Sequence, residues 1–291
     1  MKLVGQMWRL MRPTQWVKSG FVLMGLLFGN AWHDAQMLRR AGLAALAFSL
    51  VASGVYIFND LLDRQHDMAH PKKKLRPLAA GTISVKAALV LLLVLWLTGA
   101  GLGFAVSRGV LFILCLYVAI NLAYTLGLKH VVLLDVFIIA GGFMLRILAG
   151  TSGIGIAPSQ WLLLCGLMVA LFLGFAKRRA ELYALSDETR NHRRVLDNYQ
   201  PVLLDKMIVV TATCVIMTYS LYTMSPVTIQ THHTDALIYT VPFVMYAIFR
   251  YIYALHYKQT GTDPAQEIFH DPHILVSVMG WLLLTIWLIA R

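Results

Sequence analysis

Apolar residues in this chain come in long runs, and polar residues gather in short breaks between them. Nine of these runs approach the roughly 20 residues that a helix needs to cross a bilayer. They lie at about residues 15–32, 39–58, 86–106, 109–127, 131–150, 159–176, 207–225, 236–256 and 273–290. The third to the sixth follow one another closely, which predicts helical hairpins. Polar segments at 59–86, 177–206 and 256–272 interrupt the series. The pattern predicts an all-α polytopic membrane protein with no soluble domain, residues 1–291 forming one transmembrane domain.

Composition agrees with that reading. Hydrophobic residues make up 58% of the chain and charged residues 13%, with a mean hydropathy of +0.67. A soluble domain carries about 25% charged residues. The net charge of +11 is clustered. Lys2, Arg9, Arg12 and Lys18 precede or open the first span, Lys72 to Arg76 follow the second, Lys129 the fourth, and Lys177 to Arg194 the sixth. Residues 151–159 and 225–235 contain no Lys or Arg. The positive-inside rule then puts the N-terminus and the basic loops in the cytoplasm and the C-terminus outside the cytoplasmic membrane. That alternation needs an odd number of spans; Arg39 and Arg40 are minor exceptions. Positive charge in this setting serves topology and anionic lipid, not nucleic acid. Cys115, Cys165 and Cys214 all fall within spans, which suits packing better than disulfides or a metal. The first apolar run lacks a small-residue cleavage site and is expected to stay as an anchor.

Chemistry concentrates at the cytoplasmic breaks. Asp60, Asp63 and Asp67 are spaced i, i+3, i+7 and share one helical face. Three like charges repel unless a cation sits among them, and a divalent ion with hard oxygen ligands is the usual answer. Asp60 follows the apolar run Val55 to Phe58, at a depth where charge is costly and points to function. The competing reading is a solvated helix end. Asn59 adds a neutral oxygen. Pro71 and Pro77 bracket a basic run and hold Lys73 and Arg76 in a loop, where Arg offers a planar fork for phosphate and Lys a point charge.

Further candidates flank the same side. Tyr124 and Lys129 close the fourth span, Asp135 opens the fifth, and Lys177, Arg178 and Glu181 end the sixth. The basic run at 177–179 either binds phosphate or only stops the helix; Lys177 and Glu181 are spaced to pair. Arg146, Arg250 and Tyr251 lie inside spans and need a cavity or a buried partner. Glu267, His270, Asp271 and His273 do not have a usual zinc spacing, and helix capping accounts for an Asp at such a place.

The motif Asn59-Asp60-x-x-Asp63-x-x-x-Asp67, followed by His70-Pro71-x-Lys73-x-x-Arg76-Pro77-x-Ala79-x-Gly81, resembles the UbiA superfamily of intramembrane prenyltransferases. Tyr124 to Lys129, Gly142 to Gly150 and Lys177 to Leu182 extend the resemblance over most of the chain, toward the branch that acts on decaprenyl phosphate. The resemblance implies nine transmembrane helices around a central cavity, open to the cytoplasm and laterally to lipid. It implies Mg²⁺ at Asn59, Asp60, Asp63 and Asp67, with Asp60 and Asp63 catalytic. The usual second Asp-x-x-x-Asp motif is absent: its place reads Lys177-Arg178-Arg179-Ala180-Glu181-Leu182, and Asp187, Glu188 and Asp197 lack the spacing. A basic second site suits a phosphate held by direct ion pairs.

The implied reaction is phosphoribosyl transfer from 5-phosphoribosyl diphosphate to a polyprenyl phosphate, in contact with membrane lipid. Lys73, Arg76, Lys129, Lys177 and Arg178 are then the phosphate-binding residues, and Tyr124, Asp135 and Glu181 contact the rest of the substrate. Two rivals stand beside it: prenyl transfer to an aromatic acceptor, and a transporter or binding protein for lipid phosphate.

Overall fold

The computed structural model describes residues 2–69, 73–184, 198–257 and 271–290. Pro71, Asp187, Glu188, Asp197, Glu267 and His270 lie outside them. No strand occurs among the described residues. In chain order the helices are α1 (Lys2–Met11), a 3-10 helix (Pro13–Leu23) running into α2 (Met24–Phe28), α3 (Ala35–Leu62), α4 (Arg64–Ala69), α5 (Val85–Val106) and α6 (Arg108–Leu126). They continue with α7 (Leu134–Ala149), α8 (Gln160–Ala184), α9 (Pro201–Met224), α10 (Pro226–His232), a 3-10 turn (Ala236–Thr240) leading into α11 (Val241–Tyr257), and α12 (Pro272–Ile289).

Among the described residues seven helices are long and apolar enough to cross a membrane. The two remaining expected spans fall on shorter elements. At 15–32 the chain is 3-10 helix for eleven residues and α-helix for five. A 3-10 helix rises about 2.0 Å per residue, so this stretch still reaches about 30 Å, the thickness of a bilayer core. At 131–150 the helix has 16 residues.

Helix starts follow side-chain chemistry. Asp34 accepts from the backbone N–H groups of Gln36 and Met37, Ser84 from Ala87, Ser107 from Val110, and Asp271 from His273 and Ile274. Each side chain satisfies donors that a helix N-terminus leaves without partners. α3 has 28 residues, about 42 Å at 1.5 Å each, longer than the roughly 30 Å apolar core of a bilayer, and Asn59 and Asp60 lie in its C-terminal turns.

The chain divides into two compact units. The first comprises Met1–Leu128 and Leu145–Ala157. In it α3 presents a stripe of fully buried Ala41, Ala44 and Ala47, and Phe48, Val51, Val55, Val110, Leu114 and Tyr117 pack around it. Small residues permit the close backbone approach that drives helix association in lipid. Arg146 is buried here, its guanidinium 5.1 Å from the Phe48 ring centre and 4.8 Å from that of Tyr117, whose hydroxyl accepts from it at 3.1 Å. The aromatic pair thus gives the buried guanidinium cation–π contacts and one hydrogen bond.

Gly150 is the tightest point of this unit. A methyl group there would run into the carbonyl of Val22, and one at Gly25 into the carbonyl of Gly150. Both obstacles are backbone, which cannot swing aside as a side chain does. Gly150→Ala is therefore expected to remove most of the monodisperse protein recovered after detergent extraction, as measured by size-exclusion chromatography. Yields equal to wild type would contradict this packing.

The second unit comprises Lys129–Met144 and Pro158–Arg291. α8 packs on α9, and Val136, Phe172, Phe175, Leu204, Ile208, Ile248 and Tyr251 form the core. Tyr251 meets Phe172 edge to face at 5.5 Å. Arg250 finds its partner in Asp271, at 3.1 Å, so the acid that caps α12 also neutralises an arginine of α11.

Candidate active site

In the first unit the carboxylate stripe survives a helix break. α3 ends at Leu62 and α4 begins at Arg64, yet Asp63 N–H bonds Asn59 C=O at 2.9 Å and Asp67 N–H bonds Asp63 C=O at 2.8 Å. These i to i−4 bonds carry the α-helical register through the break and keep Asp60, Asp63 and Asp67 on one side. Asp60 and Asp67 are almost completely buried, at 2% and 3% exposure. Burying carboxylates is costly unless they are paired. Arg76 supplies a shared partner: one guanidinium nitrogen lies 3.1 Å from Asp60 Oδ1 and 2.7 Å from Asp67 Oδ2. A second arginine, Arg12, donates to the same Asp60 oxygen at 2.5 Å.

The neighbouring groups are held as well. Thr125, in the last turn of α6, donates to Asn59 Oδ1 and sets the orientation of that amide. Tyr124 is buried beside it. Lys73 stands exposed on a short 3-10 turn, and its carbonyl accepts from Arg76 N–H at 2.9 Å, so the turn aims Arg76 at the acids. Among the described residues no three His, Cys, Asp or Glu side chains converge as a ready-made metal cage. The donor chemistry nonetheless fits a hard divalent ion: two carboxylate oxygens already converge on one cationic nitrogen, with Asn59 and Asp63 in register beside them.

The second unit gathers the other candidates. Arg178, 1% exposed, donates to Asp135 Oδ2 at 2.6 Å and to Glu181 Oε2 at 2.5 Å. Asp135 is fully buried and also accepts from the Tyr199 hydroxyl at 2.8 Å. Tyr199 accepts in turn from the N–H of Leu133, a residue with φ of 66° at the entrance to α7. Burial, reinforced by the bond to Asp135, raises the Tyr199 pKa, so the phenol remains a donor. Arg179 donates to Asp205 at 2.9 Å, and His256 lies 3.3 Å from the same oxygen. Lys177 and Lys129 are half-buried. Thus Glu181 meets Arg178 at i, i+3, and Asp135 serves the same arginine.

Arg12, Thr125, Tyr199 and Asp205 were not among the candidates read from the chain. Arg12 and Tyr199 act across 48 and 64 residues, and no local spacing reveals such partners. Arg12 had been visible only as one of several topology-setting charges.

The profile of the UbiA prenyltransferase family matches residues 20–271. The chain belongs to this family. The UbiA family member described here is 33% identical over 289 residues to a decaprenyl-phosphate phosphoribosyltransferase of Corynebacterium glutamicum, covering 96% of this chain and 85% of that protein. It is 30% identical to the protein of that name from Mycolicibacterium smegmatis, over 96% and 91% of the two chains. Its fold is similar to that of a UbiA homolog from Archaeoglobus fulgidus solved with GPP and Mg²⁺, with a TM-score of 0.72 at 17% identity over 98% of this chain and all of that one. With its apolar helices, this UbiA family member is an integral membrane protein.

Proposed function

We propose that this protein transfers the 5-phosphoribosyl group of 5-phosphoribosyl diphosphate to a polyprenyl phosphate and releases diphosphate. The agreement along 96% of the chain with relatives named decaprenyl-phosphate phosphoribosyltransferase carries the choice of reaction. The family profile runs through both compact units, which supports one UbiA-like domain over residues 1–291. On this reading nine helices surround a cavity open to the cytoplasm and to lipid. The N-terminus and the Asp motif face the cytoplasm, the C-terminus faces outward, and the soluble donor reaches the acids directly.

Mg²⁺ held by Asp60, Asp63 and Asp67 with Asn59 would bind the donor diphosphate and neutralise the leaving group. Arg76, already beside Asp60 and Asp67, grips the same diphosphate through its fork, with Lys73 near it. As the ribosyl C1–O bond breaks, carboxylate charge stabilises the developing oxocarbenium ion. A phosphate oxygen of the lipid forms the new bond to C1. That phosphate is ionised near neutral pH, so no general base is required. Lys129 and Lys177 hold the lipid phosphate, and Tyr124 contacts another part of the substrate. Asp135 and Glu181 share the buried Arg178, which cannot turn away to water as Arg12 and Arg76 can, and this disfavours a second metal of the kind that aromatic prenyl transfer uses. Asp135, Arg178 and Glu181, joined through the buried guanidinium, then act as positioning residues of the second unit.

Purified protein with Mg²⁺, labelled phosphoribosyl diphosphate and a polyprenyl phosphate is expected to place label in the lipid fraction. Transfer seen only from a prenyl diphosphate to an aromatic acid would replace this reading with its nearest rival. Binding of lipid phosphate with no transfer to any acceptor would favour a transporter or carrier.

A further inference from the structure

Arg12 sits where the stripe of α3 continues in the N-terminal direction. Ser53, Tyr56 and Asp60 repeat the i, i+3, i+7 spacing that Asp60, Asp63 and Asp67 show. The N-terminal segment lies along this stripe. The carbonyl of Met11 accepts from Ser53 Oγ at 2.8 Å, and Trp16 Nε1 donates to the same oxygen at 3.0 Å. Both flanks of Arg12 are thereby tied to one hydroxyl. The guanidinium then crosses the face of the Tyr56 ring, 5.2 Å from its centre, and reaches Asp60 Oδ1. The Arg12 backbone is left-handed, φ 53° and ψ 60°, a conformation that side chains with a Cβ adopt at a cost. The contacts around it hold that conformation and direct the side chain at one carboxylate.

The consequence concerns charge. Two buried carboxylates, Asp60 and Asp67, meet two guanidinium groups, and both guanidiniums donate to the same oxygen of Asp60. A divalent ion approaching Asp60 alone meets two positive groups at hydrogen-bond distance from its ligand, and like charges oppose it. An arriving diphosphate changes the balance, because it offers the guanidiniums a bidentate partner of higher charge. The side chains of Arg12 and Arg76 are 29% and 30% exposed and can turn toward such a ligand, whereas Asp60, at 2%, stays where it is.

We propose that Arg12 makes metal loading conditional on the donor: it covers Asp60 until a diphosphate draws the guanidinium away. This rests on the phosphoribosyl-transfer reading above. It makes Arg12 a specificity-determining residue for the diphosphate of the donor, and it keeps the carboxylates neutralised between turnovers.

The test uses full-length protein in detergent and Mn²⁺, which shares the oxygen preference of Mg²⁺, with bound ion read by electron paramagnetic resonance. Wild type is expected to bind Mn²⁺ weakly alone and at least tenfold more tightly with phosphoribosyl diphosphate. Arg12→Gln should bind Mn²⁺ alone at least tenfold more tightly than wild type and gain little from the donor. Its KM for the donor should rise at least tenfold, with a smaller change in kcat. An unchanged or weakened Mn²⁺ affinity in Arg12→Gln overturns the proposal. If Arg12→Gln does not fold, Arg12→Met, which removes the charge but keeps an extended side chain, should move both values in the same direction, and no movement there overturns it equally. Asp60→Asn separates the two layers: Mn²⁺ binding that survives it removes the metal-site reading itself, whereas binding lost in Asp60→Asn but unaltered in Arg12→Gln removes only the role of Arg12.

Discussion

Asp60→Asn is expected to lower phosphoribosyl transfer by about a hundred- to a thousand-fold while the protein stays folded, since one group aimed at developing charge contributes about that factor in a water-excluded site. Asp63→Ala should do the same. Two opposing effects meet at Asp60. Removing its charge takes away a ligand for the metal and leaves two guanidiniums with less to bond. The first effect falls on catalysis and has no substitute at this place in α3. The second falls on stability and is small, because the side chains of Arg12 and Arg76 are about three-tenths exposed and water can solvate them. Arg76 also retains Asp67 at 2.7 Å. The check is a transfer assay together with a melting curve. Near-normal turnover in either variant would remove the carboxylate stripe from the mechanism.

Asp135→Asn makes the same chemical change with the opposite outcome. Its partner Arg178 is 1% exposed and cannot turn to water. Removing one member of a buried pair costs about 3–5 kcal/mol, because the remaining charge is left uncompensated. Glu181 still holds one end of Arg178, but its side chain is 26% exposed and more weakly coupled. At about 2–4 °C per kcal/mol for a chain of this size, the melting point should fall by about 10 °C. Replacing both partners, as Asp135→Leu with Arg178→Met, should recover much of that loss, since no charge is then stranded. Fluorescence-detected chromatography after heating measures both variants. A melting point within about 2 °C of wild type for Asp135→Asn would mean that the pair contributes little to stability.

Most of the helical layout was legible because apolar run length is a property of consecutive residues. The Asp60/Asp63/Asp67 face was legible for the same reason: a 3.6-residue period can be counted along the chain. So was the capping role of Asp271, which needs only its position ahead of Pro272. The stretch expected as the first span was less legible. Its length and apolarity are ordinary, and nothing local announces that Pro13–Leu23 winds as a 3-10 helix.

Charge pairing was the least legible feature. Glu181 meets Arg178, three residues before it, and the guanidinium of Arg178 is also drawn to Asp135 from 43 residues away. Asp135 and Arg178 therefore read as separate substrate contacts in the sequence and become one buried ion pair in the fold. Arg146, which needed buried company, lies against the rings of Phe48 and Tyr117.

By itself the sequence determined that the chain is helical, belongs in a membrane and carries a row of carboxylates at a helix end, because each follows from periodicity and composition over short distances. Only the tertiary structure decided which cation answers each acid. That choice depends on which helices pack together and on how far each guanidinium can reach water, and these separate Asp60 with its movable arginines from Asp135 with its buried one.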